Sequence, residues 1–258
     1  MPILGPLVAP NDPLKQNLVH NLKPPLFRTG DGKLYILGTD EIGRDLLSRI
    51  IYGSRISLLV GIAAVILAST IGTVVGIASA LRGGLVDLLL MRLVDMQLSI
   101  PYILLVILFV AVIGPGLFNI IIVLGLTGWL QYARIIRGEA LKVRELEYVD
   151  AARAIGASNL RILFCHVLPN VSSTAIVFGT LELARVILLE ASLGFLGLSV
   201  QPPIPTWGNL IGTGRSYIWV APWLVTYPGL AIAITVLGFN LVGDFARDVL
   251  DPRLRKGR

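Results

Sequence analysis

The sequence predicts an all-α, polytopic transmembrane helix bundle, and three observations carry that prediction. Of 258 residues, 55% are hydrophobic and 15% are charged, with a mean hydropathy of +0.79, a balance that water-soluble domains rarely show. No Asp, Glu, Lys or Arg falls between Arg55 and Arg82, nor between Asp95 and Arg134. At about 20 residues per crossing, those runs suit one span and two spans. The basic residues behind the net charge of +6 stand mostly at the ends of the apolar runs. That placement suits a positive-inside signal and argues against nucleic acid as a partner.

Taken in order, residues 1–38 are rich in Pro, Gly, Asn and Asp without a sustained period, which predicts an extended extramembrane segment. No cleavable signal is visible, because Pro2, Pro6, Pro10 and Pro13 break the apolar start. Ile42, Leu46 and Ile50 then recur every four residues behind Asp40 and Glu41, as in a short amphipathic helix at the bilayer surface.

A first span follows over Ile56 to Leu81, whose Gly61, Ala68, Gly72 and Gly76 suit close helix packing. A short link with Arg82, Asp87, Arg92 and Asp95 leads to a second span, Leu98 to Ile113, and Gly114 to Gly116 turn the chain back. Phe118 to Ile136, Val171 to Leu198 and Leu224 to Val242 make three more spans. Between the last two lies a Pro-rich loop whose Trp207, Trp219 and Trp223 suit a headgroup interface.

The resulting partition is an extracytoplasmic segment over 1–55 with its amphipathic helix, a transmembrane domain over 56–245, and a charged tail over 246–258. The majority of Lys and Arg falls on one side if residues 139–169 and the tail are cytoplasmic. Five spans with that orientation put the N-terminal segment outside, so a sixth, preceding span is expected but missing from the sequence.

Nothing in the chain suggests catalysis. Cys165 is the only cysteine, and His20 and His166 are far apart, so neither a disulfide nor a metal site is expected. "GDGKL" at Gly30 to Leu34 lacks the glycine spacing and the Ser or Thr of a phosphate loop. No His-Glu-x-x-His or Gly-x-Ser-x-Gly element occurs. No cofactor is implied, and any energy source must come from partners.

The informative interruption is "EYVDAARAIGASNLRILFCHVLPN", Glu147 to Asn170. Ala151, Ala152 and Ala154 favour helix, Gly156 is a natural helix stop, and Ser158 or Asn159 can cap a second helix that ends before Pro169. Two short helices meeting at a glycine form a compact knob with Asp150 and Arg153 available for charged contacts. The pattern Asp150-Ala151-Ala152, Gly156, Leu168-Pro169 resembles the "EAA" loop of permease subunits in ATP-binding-cassette (ABC) importers, with Asp for the usual Glu and His166 at an aliphatic position.

Three further blocks, Leu37 to Leu58, Glu190 to Ile211 and Phe239 to Arg255, resemble the second permease subunit of the dipeptide, oligopeptide and nickel importers. The resemblance implies a type I ABC importer permease fold in a bacterial or archaeal plasma membrane, with a cytoplasmic C-terminus. Its implied partners are a second permease subunit, two ABC ATPase subunits docked on the loop, and an extracytoplasmic peptide-binding protein. Peptides are the implied cargo, with nickel the rival inside the family. Outside it, an ion-coupled secondary transporter and a membrane scaffold remain alternatives.

The fourth expected span carries Glu182, Arg185 and Glu190. Ionisable groups at membrane depth face protein or water, and Glu182 lies about 18 Å along the helix from Asn170. Glu182 and Arg185 are spaced to pair one turn apart. Two readings stand: these residues line the translocation path, or they fix helix packing.

Overall fold

The computed structural model describes residues 9 to 250; the first eight residues and the end of the expected charged tail, 251 to 258, lie outside the described residues. The segment before the helices is more structured than its composition predicts. A 3-10 turn at Leu18–His20 is capped by the Asn17 side chain. Two short strands, β1 (Phe27–Arg28) and β2 (Leu34–Tyr35), pair antiparallel with Phe27 opposite Tyr35.

Asp40 does not open a helix. Its carboxylate accepts from the backbone N–H of Ile42 (3.1 Å) and Arg44 (2.8 Å) and from Arg44 Nε (2.6 Å) and Arg49. A carboxylate that binds amides two and four residues on holds a turn and delays the helix. Helix α1 therefore begins at Leu46 and runs unbroken to Arg82, over 37 residues, so the expected surface helix and first span are one element. No proline interrupts them.

The expected link is helical too. α2 (Gly84–Leu98) opens at Gly84 after Gly83, both at positive φ, and α3 (Tyr102–Ile113) follows Pro101. The two are bent by 88°, so the second expected span keeps a straight helix only from Tyr102. Gly114 (φ +92°) and Gly116 (φ +145°) make the predicted reversal. Then come α4 (Leu117–Arg144), α5 (Glu147–Ala154), α6 (Asn159–Ile162), a π-helical turn (Leu163–Val167) and α7 (Leu168–Phe195). α8 (Trp207–Gly214) and α9 (Trp223–Leu250) complete the order. By length and composition α1, α4 and α9 can cross a membrane, and α2 with α3 adds a fourth crossing if the bent pair is one span. α7 is as long as α4, at 28 residues, and carries the three charges noted above.

The chain divides into two compact units. One comprises the described part of Met1–Ala63 with Ile107–Ile121 and Ala184–Gly238. Leu46, Ala221 and Leu224 form a buried cluster there, packed by Leu22, Leu37 and Trp223. A Cβ on Gly208 would lie 2.6 Å from the Ala191 carbonyl oxygen, so α8 and α7 meet backbone to backbone. Trp207 is buried rather than interfacial, because it opens α8, and its indole N–H donates to the Ile50 carbonyl at 3.0 Å. Trp219 is 95% exposed.

The other unit comprises Ala64–Val106, Ile122–Leu183 and the described part of Phe239–Arg258. A Cβ on Gly76 would lie 2.7 Å from the Ala133 carbonyl, so α1 and α4 are in close contact, as small residues permit. α2 is tied to α4 by Arg137 on Asp87 (2.5 and 2.6 Å) and by Arg134 on Asp95. Val94 packs against Leu130 and Ala133.

Candidate functional site

Residues 139–169 form a knob that projects from the second unit. Its base is one apolar cluster: Ile77 and Ala80 of α1, Ile136, Ala140 and Val143 of α4, with Val149, Ile162, Val167 and Val171 contributed by the knob and the start of α7. Arg144 Nη1 donates to the Ala80 carbonyl at 2.9 Å, fastening the end of α4.

α5 carries Glu147 and Asp150 in its first turn and Arg153 in its last, each at the end of the helix dipole that favours its charge. Gly156, at φ +85°, ends it. The Gly156 N–H donates to Arg153 O (2.9 Å) and the Ala157 N–H to Ala152 O (3.0 Å), the paired bonds of a Schellman motif. The Ser158 side chain then accepts from the Arg161 N–H at 3.3 Å and caps α6. Both features agree with the sequence reading.

The expected break before Pro169 does not occur. α6 passes into a π turn, in which the Leu168 N–H bonds to Leu163 O, and continues into α7 with Pro169 in its first turn. The missing N–H of proline would leave a carbonyl unpaired in a regular helix. A π turn shifts the register so that the chain continues without breaking.

Of the predicted site residues, Asp150, Ala151, Arg153 and Gly156 lie together on the exposed tip, with Ala152 half-buried beside them. Arg153 donates to Asp150 at 3.0 Å, and the two side chains keep 39% and 64% of their exposure. An exposed pair of this kind adds little to stability and exchanges readily for other partners. Leu168 packs against the base cluster, and Pro169 is exposed at the joint with α7, away from the tip.

The tip also holds residues that sequence reasoning missed. Ile155, Leu160 and Phe164 are 87%, 67% and 60% exposed. Leu160 and Phe164 are one helical turn apart, a spacing that could have signalled a shared face.

The three charges of α7 differ in exposure. Glu182 is buried in the second unit, close to where Phe178 packs edge-on against Tyr132 at 4.7 Å. Arg185 is half-exposed. Glu190 lies in the first unit with no exposure. It accepts from Ser57 Oγ (3.1 Å) and Ser199 Oγ (2.9 Å). The Ser57 oxygen in turn accepts from the Trp207 N–H at 3.3 Å. Among the described residues no cluster of three or more His, Cys, Asp or Glu side chains is arranged to hold a metal ion.

The chain and its fold have counterparts among known proteins. A di/tripeptide transport system permease protein of Pseudomonas aeruginosa is 43% identical, covering 98% of this chain and 84% of its own. An oligopeptide transport system permease protein of Bacillus subtilis is 41% identical over 99% of this chain and 82% of its own. Among solved structures, the inward-facing MetNI methionine ABC transporter superposes with a TM-score of 0.65 at 19% identity, covering 79% of this chain and 96% of that one. The family described as the binding-protein-dependent transport system inner membrane component matches residues 72–256. With more than half its length matched to that family, this chain belongs to the binding-protein-dependent transport system inner membrane components and has the fold of an ABC importer permease.

Proposed function

We propose that this chain, with a second permease subunit, forms the transmembrane pathway of an importer for dipeptides or oligopeptides. Two ABC ATPase subunits dock on the 139–169 knob and drive it, and an extracytoplasmic peptide-binding protein delivers the cargo. The C-terminus lies in the cytoplasm, on the knob side. The chain itself carries out no hydrolysis.

The observation that carries this reading is the two-sided knob. Its outer side presents Ile155, Leu160, Phe164 and the exchangeable Asp150–Arg153 pair. Its inner side shares one buried cluster with α1 and α4. A close-packed cluster does not absorb displacement by deforming, so movement of a docked partner is passed to the spans, which is what alternating access needs. Peptide cargo is supported by the peptide permeases to which the chain is similar over nearly its whole length.

The test is gentle solubilisation of the tagged chain from its native membrane, with and without Asp150 to Gly156. Two ATPases and a second permease should co-purify with the intact chain, and the ATPases should be lost with the deletion. An unaccompanied chain, or ATPases retained by the deletion, would overturn the assignment.

A further inference from the structure

A cavity of about 1120 Å³ lies in the first unit, between the segment over residues 9–14, one face of α1 and Ile204 with Pro205. The α1 side is a helical stripe: Tyr52, Arg55, Leu59 and Ile62 line it at spacings of three and four residues. Arg55 is exposed and has no ion pair or side-chain hydrogen bond among the described residues. Leu59 and Ile62 below it are 50% and 45% exposed.

The position of this stripe along α1 gives it meaning. Arg55 is the charge that ends the uncharged run reaching to Arg82, so it stands at headgroup level with the apolar core beginning next to it. From Arg55 to Ile62 the cavity descends about 10 Å along the helix. Asp12 lines the cavity from the other wall and is likewise without an ion pair among the described residues. Its Oδ1 accepts the Leu14 N–H at 2.8 Å, which fixes the carboxylate in place. The cavity thus offers a cation, an anion and an apolar wall that continues along α1 from the cation.

We propose that this cavity is a binding site for an ethanolamine phospholipid, with the phosphate on Arg55, the ammonium on Asp12 and one acyl chain along Leu59 and Ile62. The guanidinium donates to the phosphate oxygens and the ammonium donates to the carboxylate, two charge-assisted contacts. A free peptide carries the same two charges, but an acyl chain is long enough to follow Leu59 and Ile62 down the helix as a continuous apolar contact. The bound lipid would brace residues 9–14 against the start of α1.

The test uses the full chain in liposomes of phosphatidylethanolamine and phosphatidylglycerol, with a trace of either lipid bearing a photoactivatable acyl chain. Adducts are mapped by mass spectrometry, and exposed Ile234 and Leu237 of α9 serve as the reference for ordinary lipid contact and for correct insertion. Labelling by the ethanolamine probe should concentrate on residues 52–62. Arg55→Gln should lower it about tenfold, as loss of one charge-assisted contact implies, while Arg55→Lys keeps most of it. Asp12→Asn should lower labelling by the ethanolamine probe and spare that by the glycerol probe. Labelling of residues 52–62 no stronger than that of α9, or unchanged in Arg55→Gln, would overturn the site. Indifference to Asp12→Asn would overturn the ethanolamine assignment, and displacement of the probe by a dipeptide would reassign the cavity to cargo.

Discussion

Gly156 turns the chain between α5 and α6 at φ +85°, and a Cβ placed there would meet no atom within 4 Å. Gly156→Ala therefore adds only the left-handed backbone cost, about 1 kcal/mol, and should leave uptake near normal. Gly156→Pro is different in kind. It removes the N–H that bonds to Arg153 O and forces φ near −65°. That variant should insert and keep its ATPases hydrolysing while uptake fails, as read by parallel hydrolysis and transport assays in proteoliposomes; normal uptake would show that the tip need not be rigid.

Glu190 gives a second prediction at this scale. Glu190→Gln keeps an acceptor oxygen for one of the Ser57 and Ser199 hydroxyls and an amide N–H that donates to the other, whereas Glu190→Ala leaves both buried without a partner. The alanine variant should be about 3 kcal/mol less stable than the glutamine variant, seen as a lower thermal midpoint in detergent.

At the scale of the element, the knob separates its docking side from its packing side, and the two can be tested apart. Leu160→Ala with Phe164→Ala alters only exposed side chains. It should leave the melting temperature unchanged and sharply reduce the ATPase recovered by co-purification. Ile162→Ala lies between those positions but points into the base cluster. It should lower stability by about 3 kcal/mol, as for other buried large-to-small changes, and should expose the 139–169 segment to limited proteolysis. Equal effects from both variants would mean that the knob has no separable faces. α2 shows the opposite arrangement, a short helix with many exposed apolar side chains, held to α4 by Asp87 and Asp95 and by Val94.

For the whole molecule, the open matter is which groups meet the cargo. Glu190 is enclosed by hydroxyls in the first unit, a setting that supports the packing reading for it. Glu182 and Arg185 stay as the proposed charges of the translocation path. Transport by the assembled importer decides this: Glu182→Gln and Arg185→Met should each change the rate or the preference among peptides of different charge. Unchanged kinetics in both variants would return these residues to a packing role.

The sequence alone determined the helical membrane class, the turn at Gly114 to Gly116, the helix stop at Gly156 and a cap at Ser158 or Asn159, of which the structure uses Ser158. Each of these rests on physics that acts within a few residues: apolar runs long enough to cross a bilayer, a glycine free to take positive φ, a hydroxyl beside an unpaired amide. Only the tertiary structure decided that Trp207 is buried, since its indole bonds to Ile50, 157 positions away. The same holds for Glu190, whose partner Ser57 lies 133 positions away. It also decided that Leu160 and Phe164 face outward while Ile162 and Val167 face inward, because that choice belongs to the α1 and α4 surface against which the knob packs. Local hydrogen bonding and hydropathy are written along the chain, but burial and long-range pairing depend on which distant segment arrives as the neighbour.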